Sequence, residues 1–214
     1  MYDYKNCISS RLEIPLMSWL ENSKIIDQMI KGSSGELWGH RLETSNHFPL
    51  LNNILNHIGQ NGLLIDLGCG AGDVSRIWKD DYLGADLSWV IEKVSKICNP
   101  SAQYISINIK NDSLEILPRC RCVLMNAFLD VQENPFSILE KVCCMNTEWV
   151  VVHRQRVQNI EKSTFQYVKS YGDSQVPSSI ISFAELNEIK NKYSKEFLIQ
   201  KWENDSYSFA MRIK

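Results

Sequence analysis

The sequence of 214 residues lacks the features of a membrane or nucleic-acid-binding protein. No apolar stretch approaches the roughly 18 residues that a membrane-spanning helix needs. The first ten residues, MYDYKNCISS, have no basic segment followed by an apolar one, so we expect no secretory signal. Positive charge is not in excess, since 23 basic and 25 acidic residues give a net charge of −2. Polyanion binders usually have a basic surplus, and we therefore expect neither a membrane nor a nucleic acid as partner.

The cysteines are too few and wrongly spaced for a disulfide framework or a zinc site. There are seven, an odd number. Cys120-x-Cys122 and Cys143-Cys144 match neither the CxxC pairs nor the Cys/His spacing of structural zinc sites. Reduced, buried thiols are the better interpretation. We therefore expect a cytoplasmic protein without a metal site.

What is present is the composition of an ordinary globular domain. Hydrophobic residues make up 44% and charged residues 22% of the chain, which excludes disordered and collagen-like proteins. Apolar residues recur at helical spacing before the breaker run Gly32–Gly35 and again from about Ser45 to Ile58. The sequence therefore predicts a helical extension or lid at residues 1–59, followed by one compact domain at residues 60–214.

Within the predicted domain, short apolar runs alternate with helical patterns. We predict helices over Val74–Trp78, Val90–Ile97 and Pro135–Cys144. The predicted strands are Leu63–Leu67, Tyr82–Leu87, Ala102–Ile107, Cys122–Asn126 and Trp149–His153. This alternation is typical of a mostly parallel sheet with helices on both faces.

The C-terminal part of the chain follows a different pattern. A helix is predicted over Phe183–Tyr193, with Ser182 as N-cap and Glu185 at the capping-box spacing. The strands Phe197–Trp202 and Tyr207–Ile213 are predicted to form an antiparallel hairpin. The fold class is therefore α/β, a Rossmann-like, seven-stranded, mostly parallel sheet with a C-terminal antiparallel hairpin and an N-terminal helical extension.

The stretch Leu64-Ile65-Asp66-Leu67-Gly68-Cys69-Gly70-Ala71-Gly72-Asp73 carries the chemistry. A strand leads into three alternating glycines and then into a helix, so the backbone can adopt positive φ and approach a ligand closely. Asp86 ends the second predicted strand, 14 residues after Gly72. A carboxylate there can accept both hydroxyls of a ribose.

Three ligand-binding interpretations of this turn compete. A dinucleotide site would have glycine at the sixth position from Gly68, where this chain has Asp73, and a P-loop would end in Gly-Lys-Ser/Thr. An adenosine ligand without phosphates fits the turn and the acidic residue better. The alternatives without a ligand are a tight turn for the glycines, a helix-capping surface acid for Asp86 and a turn residue for Asn108.

These residues resemble a known family. Ile65–Gly72 is similar to motif I of class I S-adenosylmethionine-dependent methyltransferases, and Gly84–Ser88 is similar to their second motif. The resemblance covers roughly residues 60–154 in motif terms, and it extends to the C-terminus because that family ends its sheet with an antiparallel hairpin. It implies S-adenosyl-L-methionine as cofactor and a small bacterial type of enzyme.

The resemblance also implies roles for individual residues. Asp66 would lie under the methionine end of the cofactor, Asp86 would hold the ribose hydroxyls, and Leu87 would cover one adenine face. Asn108 stands where many members have an acidic residue that binds the adenine amino group. Asn126 would lie beside the sulfonium. The full implied cofactor-binding set is Asp66, Gly68, Cys69, Gly70, Gly72, Asp86, Leu87, Asn108 and Asn126.

The residues that would bind the methyl acceptor are less clearly marked. The chain lacks the Asn/Asp-Pro-Pro-Tyr signature after strand four, which disfavours amine methylation of adenine or glutamine. His153 is a candidate catalytic base near neutral pH, and Arg154 a candidate clamp for a carboxylate or phosphate. The alternative for His153 is a hydrogen-bonded residue at a strand end. In the extension, His40 is a weaker candidate and Trp38 is favoured as an anchor.

We therefore predict an enzyme that transfers a methyl group to a small-molecule acceptor. The long segment 155–182 is interpreted as an insertion that covers the substrate. A second, looser resemblance, to small bacterial methyltransferases suspected of acting in surface-polysaccharide pathways, favours a hydroxyl oxygen of a sugar or metabolite. The alternatives are a non-catalytic binding or scaffold module, then a nucleic-acid methyltransferase, then an oxidoreductase. A homodimer is compatible with the sequence.

Overall fold

The structure, a computed structural model, describes residues 23–170 and 174–214. The helices are α1 (Ser23–Ser34), α2 (Phe48–Ile58), α3 (Ser88–Val90), α4 (Lys96–Cys98), α5 (Pro135–Cys143) and α6 (Phe183–Tyr193), and one π-helical segment, Ile91–Ser95, joins α3 to α4. The strands are β1 (Leu64–Leu67), β2 (Tyr82–Asp86), β3 (Gln103–Ser106), β4 (Cys120–Asn126), β5 (Thr147–Gln158), β6 (Thr164–Ser170), β7 (Ser174–Ser182), β8 (Ser194–Lys201) and β9 (Ser206–Ile213).

The strands form one mixed sheet in the order β3-β2-β1-β4-β5-β7-β6, with β9 paired to β5 and β8 paired to β9. The first five strands are mutually parallel. β9 runs antiparallel to β5, and β8 runs antiparallel to β9. The predicted fold class, a Rossmann-like parallel sheet that ends in an antiparallel hairpin, is confirmed.

The core lies on both faces of the sheet, because alternate strand residues point to opposite faces. One face packs against α5 and α6 through buried side chains such as Leu139 and Leu186. The other packs against α2 through side chains such as Leu51 and Ile54. Helix α2 is therefore part of the core, although it precedes the predicted domain boundary at residue 60; the division itself stays a prediction.

The sheet has two more strands than the seven predicted. The segment after β5 forms an antiparallel hairpin of β6 and β7, and the end of β7 pairs in parallel with the end of β5. β5 itself continues to Gln158 rather than ending at His153. The sequence of this segment is polar and contains Pro177, so short-range patterning did not predict strands there.

Two predicted helices also differ from the structure. The Val74–Trp78 pattern forms only a 3₁₀ turn at Asp73–Arg76, and the buried Trp78 donates from its indole nitrogen to the Gly62 carbonyl oxygen (3.1 Å). Helix α1 runs through Gly32 to Ser34 instead of ending at the glycine. A Cβ at Gly32 would collide with the ring of Trp38, which accounts for a glycine inside that helix. The part of the predicted N-terminal helix before Ser23 lies outside the described residues.

The capping box predicted for α6 is half present. The Ser182 hydroxyl oxygen accepts from the Ala184 amide (3.1 Å), as an N-cap should. Glu185 instead accepts from the Ser163 amide (2.5 Å) and so ties the insertion to the helix. The six cysteines in the described part of the chain are free, and none of the helices described there is long and apolar enough to cross a membrane.

Candidate functional site

The carboxyl ends of the parallel strands meet at one edge of the sheet, where ligands bind in open α/β folds. A cavity of about 180 Å³ lies at this edge. It is formed by the glycine turn after β1, the residues that follow β2, β3 and β4, one face of α1 and the β6–β7 hairpin. The residues that line it include Ile25, Met29, Gly68, Gly70, Asp86, Leu87, Asn108, Ala127, Phe128, Val131, Gln132 and Pro177.

The glycine turn has the geometry expected from its sequence. Gly68, Gly70 and Gly72 have φ values of +75°, +52° and +76°, in the left-handed region that favours glycine. A Cβ at Gly68 would collide with the ring of Phe128. The Gly68 amide donates to the Ala85 carbonyl oxygen (2.8 Å), which joins the turn to β2. Backbone conformation and packing therefore both require glycine here.

Asp86 joins the end of β2 to this turn. Its Oδ2 accepts from the Gly70 amide (2.8 Å) and its Oδ1 accepts from the Leu87 amide (2.7 Å). Burial raises the pKa of Asp86 to about 6, and these two backbone amides oppose the rise. A carboxylate has about four lone-pair sites, so the group can hold the turn and still accept hydroxyl donors from the cavity.

Asp66 lies beneath the turn rather than in the cavity wall, and only 1% of its surface is exposed. The Tyr82 hydroxyl donates to its Oδ2 (2.9 Å), whereas its Oδ1 has no hydrogen-bond partner among the described residues. Burial raises the pKa of Asp66 to about 7, and the charges of Asp86 and Asp73 add to that effect. A positive charge placed beside Asp66 would oppose this rise.

Cys69 and Gly72, the other two residues of the turn that were predicted to bind the cofactor, are surrounded by protein atoms. Cys69 is buried, with its thiol 4.0 Å from the Ser95 hydroxyl, and burial raises the pKa of the thiol. A Cβ at Gly72 would collide with Tyr104. Neither residue is among those that line the cavity in the described part of the chain.

Leu87 and Asn108 form the side of the cavity where the resemblance places adenine. Leu87 follows β2 and has an extended backbone, with φ −61° and ψ 144°. The side-chain oxygen of Asn108 accepts from the Lys110 backbone amide (3.1 Å), and the backbone amide of Asn108 donates to the Asp112 carboxylate (2.7 Å). Asn108 thus stabilises a turn and also lines the cavity, so the two interpretations of this residue are compatible.

Helix α1 covers the glycine turn, which sequence reasoning did not predict in detail. Ile25 and Met29 line the cavity, and the Met29 methyl group lies 3.3 Å from the position a Cβ would take at Gly70. The helical spacing of Met29 in the sequence was the available signal. Of the N-terminal candidates, Trp38 packs on Gly32 and His40 is placed beside the Arg41 carbonyl (3.4 Å). Neither lines the cavity.

A charged network holds α1 and the segment after it against the turn. Arg76 donates to Asp73 (2.8 Å) and to Glu43 (2.6 Å). The Ser33 hydroxyl, at the end of α1, donates to the same carboxyl of Asp73. Asp73, which argued against a dinucleotide site, is therefore an anchor for the covering helix.

The structure does not bring His153 to the cavity. The side chain is 1% exposed and lies on the sheet face covered by α2. Its Nε2 is 3.0 Å from His47 Nδ1, and its Nδ1 is 2.6 Å from the Ser208 hydroxyl. Burial, then the charges of Arg154 and His47, hold the pKa of His153 well below its usual value. These surroundings favour the neutral imidazole, and both of its nitrogens have partners.

Arg154 and Asn126 do meet, at the ends of adjacent strands. Arg154 Nε donates to Asn126 Oδ1 (3.3 Å). Arg154 has a φ of +63° and Ala127, beside Asn126, a φ of +49°. Left-handed backbone is uncommon for residues other than glycine and is often found at functional sites. This pair therefore marks the sheet edge next to the cavity.

The β6–β7 hairpin forms the outer wall of the cavity. Pro177, in β7, lines it, and the Tyr167 hydroxyl, in β6, donates to Glu133 (2.6 Å). Glu133 also lies 3.8 Å from Lys110, on the adenine side. The insertion predicted to cover the substrate thus reaches the cavity; Tyr171 lies outside the described residues. Within the described ranges, no three His, Cys, Asp or Glu side chains are placed to hold a metal ion.

Comparison with known proteins supports the fold. No protein-family model matches this chain, and no curated protein matches it. Among solved structures, an S-adenosylmethionine-dependent methyltransferase from Mesorhizobium loti is 14% identical, with a TM-score of 0.57 over 80% of this chain and 100% of that one. A 1,6-didemethyltoxoflavin-N1-methyltransferase from Burkholderia thailandensis, with 1,6-didemethyltoxoflavin and S-adenosylhomocysteine bound, is 13% identical, with a TM-score of 0.55 over 89% and 88%.

A third similar structure is an amino pentose methyltransferase from Micromonospora echinaspora with S-adenosylmethionine bound. It is 10% identical and has a TM-score of 0.56 over 79% of this chain and 92% of that one. All three comparisons cover most of both chains. The chain therefore has the fold of class I S-adenosylmethionine-dependent methyltransferases.

Proposed function

We propose that this protein is an enzyme that binds S-adenosyl-L-methionine and transfers its methyl group to a small-molecule acceptor. The observation that carries the proposal is the position of Asp86. Its carboxylate lies at the cavity edge, is held by the amides of Gly70 and Leu87, and stands where a ribose is bound in α/β folds. The fold shared with cofactor-bound methyltransferases supports the same conclusion.

The residues present fit the cofactor chemically. Gly68 and Gly70 have left-handed backbone and line the cavity, so a ligand can approach their backbone; at Gly68 the Phe128 ring fills the place of a Cβ. Asp66 has a buried carboxyl oxygen without a partner in the described chain, which suits the cationic methionine end, directly or through water. Asp86 would bind the ribose hydroxyls. The turn thus provides negative charge where the ligand is positive.

The remaining residues would hold the base and the reactive end. Leu87 would cover one face of adenine, Asn108 would accept from its amino group with its second lone pair, and Asn126 would lie near the sulfonium. S-adenosylmethionine, when bound, would supply a methyl group on a positively charged sulfur. An acceptor aligned with the bond between sulfur and the methyl carbon would take the methyl group, and sulfur would leave. Helix α1 and the β6–β7 hairpin would exclude water from this displacement.

For the acceptor, we propose a hydroxyl oxygen of a sugar or another small metabolite. The similar structures include an amino pentose methyltransferase and a methyltransferase of a small heterocycle. Pro177 of the hairpin and Gln132 contribute to the outer side of a compact cavity of about 180 Å³. Such a site suits a small molecule better than a polymer.

The first test is calorimetric titration with S-adenosylhomocysteine. We expect micromolar binding by the wild type and at least tenfold weaker binding by Asp86→Ala, about 1.4 kcal/mol. Asp81→Ala is the matched control, because Asp81 is exposed and precedes β2 at the opposite edge of the sheet. It should bind as the wild type does.

One observation favours a second candidate, a non-catalytic module that keeps the fold. Phe128 lies against Gly68 and Met29 lies close to Gly70, so apolar side chains occupy part of the space above the turn. The cavity of about 180 Å³ is smaller than most small-molecule sites. Folded wild-type protein that failed to bind S-adenosylhomocysteine would contradict the enzyme and favour the module. Binding with a tenfold effect of Asp86→Ala would exclude a module without a cofactor site.

A further inference from the structure

The order of the strands fixes the path of an extended ligand along the carboxyl edge of the sheet. Neighbouring strands follow one another as β3-β2-β1-β4-β5. Asp86 ends β2, Gly68 follows β1, and Asn126 ends β4. Ligands of open α/β folds lie across these strand ends. A cofactor with its ribose at Asp86 and its sulfur beside Asn126 would therefore pass over Gly68.

The aromatic ring of Phe128 lies on this path. The three atoms nearest to the place that a Cβ would take at Gly68 are all ring carbons of Phe128. Both residues line the cavity. Phe128 packs against the core on one side and is only half-buried. An apolar ring therefore covers the backbone that the cofactor would have to pass.

The extent of the cavity agrees with this position of the ring. The cavity is lined by Asp86 on the β2 side and by Phe128 in the loop after β4. Among the described residues that line it, neither Asn126 nor Arg154 is present. Its volume of about 180 Å³ is also below the roughly 300–1,000 Å³ of most small-molecule sites. The ring therefore stands between the ribose side of the cavity and the ends of β4 and β5.

The backbone on both sides of Phe128 is held in place by hydrogen bonds. The Ala127 amide donates to the His153 carbonyl oxygen (3.0 Å). The buried Ser179 hydroxyl donates to the Leu129 carbonyl oxygen (2.6 Å). Rotation of the Phe128 side chain between staggered rotamers breaks neither bond. The ring can therefore leave the end of β1 while the loop stays where it is.

We propose that Phe128 is a gate within the cofactor site, which opens when its ring rotates away from Gly68; this inference rests on the proposed function. With the ring against Gly68, the cavity accepts the adenosine part of the cofactor only. Rotation of the ring opens the passage over Gly68 toward Asn126 for the amino-acid part and the sulfonium. Phe128 thus controls whether the reactive end of the cofactor reaches the ends of β4 and β5.

A gate of this kind affects two related ligands differently. The apparent affinity of a ligand falls in proportion to the fraction of molecules that are competent to bind it. Only molecules with the ring rotated away from Gly68 bind S-adenosylhomocysteine completely. Adenosine has the same nucleoside without the amino-acid part, so it does not pass Gly68 and binds with the ring in either position. A comparison of the two ligands therefore isolates the effect of the ring.

The test is calorimetric titration of wild type and Phe128→Ala with S-adenosylhomocysteine and with adenosine. We expect Phe128→Ala to bind S-adenosylhomocysteine at least about fivefold more tightly than wild type, and adenosine within about twofold of wild type. Phe136→Ala is the matched control, because Phe136 is another half-buried phenylalanine packed against the same core cluster and does not line the cavity. It should bind both ligands as the wild type does.

The two ligands also separate this inference from the proposed function. Unchanged adenosine binding shows that Phe128→Ala folds. If that variant does not fold, Phe128→Leu, which keeps an apolar side chain but lacks the ring, should tighten S-adenosylhomocysteine binding by at least about twofold. Folded wild-type protein that binds neither ligand would refute the proposed function itself. With adenosine binding intact, equal or weaker binding of S-adenosylhomocysteine by Phe128→Ala, or an equal gain for adenosine, would overturn the gate.

Discussion

Gly68 must be glycine for two separate reasons, its backbone conformation and its packing. Its φ of +75° lies in the left-handed region, and the ring of Phe128 occupies the place of a Cβ. Gly39 has a similar φ of +71°, but nothing lies within 4 Å of the position its Cβ would take. The two glycines therefore allow backbone strain and side-chain packing to be measured independently.

Gly68→Ala should destabilise the protein more than Gly39→Ala. Left-handed backbone alone costs an L-residue roughly 1–2 kcal/mol, which is the loss expected for Gly39→Ala. Gly68→Ala should lose at least about 1 kcal/mol more through overpacking. Urea unfolding gives both free energies. In the presence of Phe128→Ala, Gly68→Ala should lose less stability, because the ring that overlaps the new methyl group is gone, and a double-mutant cycle measures this interaction. Equal losses of stability for Gly68→Ala and Gly39→Ala would contradict the packing argument.

At the scale of elements, a chain of hydrogen bonds joins the start of α2 to β5 and β9. His47, at the N-terminus of α2, bonds to His153 in β5, which bonds to Ser208 in β9. The Trp202 ring packs edge-on against His47 at 5.5 Å. Burial, then the charges of Arg154 and His40, lowers the pKa of His47 to about 3. The junction therefore depends on neutral imidazoles.

This junction should make the fold sensitive to acid. Between pH 6.5 and the lowered pKa, the unfolded chain binds a proton at His47 and the folded chain does not, so stability falls as pH is lowered through that window. From pH 6.5 to 5 the loss is roughly 2 kcal/mol for each such histidine. Urea unfolding across this range should show a smaller loss in His47→Gln than in wild type.

Asn53→Gln, an exposed substitution in α2 without a titratable group, is the control for this measurement. It should keep the wild-type pH dependence. The decisive quantity is the slope with pH, not the stability at one pH, because His47→Gln also removes a hydrogen bond. An unchanged slope in His47→Gln would show that His47 takes up its proton at the same pH in the folded protein as in the unfolded chain.

At the scale of the molecule, the cavity is built from segments that are far apart in the chain. Helix α1, the ends of β1 to β4 and the β6–β7 hairpin all contribute to its walls. A ligand there would contact several elements at once. Ligand binding should therefore stabilise the whole fold against unfolding. The effect should be strongest in α1, which the Arg76 network holds against the turn.

S-adenosylhomocysteine should stabilise the whole protein and protect α1. At a free concentration 100 times Kd, linkage predicts about 2.7 kcal/mol of added stability. Hydrogen exchange should slow in residues 23–34, since Ile25 and Met29 line the cavity, beyond the change in α6, which packs against the sheet away from it. Mass-spectrometric exchange of both helices with and without ligand measures this. Equal change in α1 and α6 would contradict a covering role for α1.

Local patterns in the sequence determined much of the fold and the cofactor side of the site. The parallel strands β1 to β5, the C-terminal hairpin and the left-handed glycine turn were predicted, because strand periodicity and positive φ depend on nearby residues. The same holds for Asp86, whose place at the end of β2 follows from the strand itself. The role of these residues toward the cofactor stays a prediction until binding is measured.

Only the tertiary structure decided what surrounds that turn. The polar strands β6 and β7 formed by pairing with each other and, at the end of β7, with β5. His153 was turned to the α2 face, where His47 and Ser208 surround it. Arg154, in a bulge of β5, was brought to Asn126 at the end of β4. Each outcome depends on contacts between residues distant in the chain, whose energies no local pattern contains. The glycine turn could therefore be predicted from the sequence, whereas the surroundings of His153 and Arg154 could not.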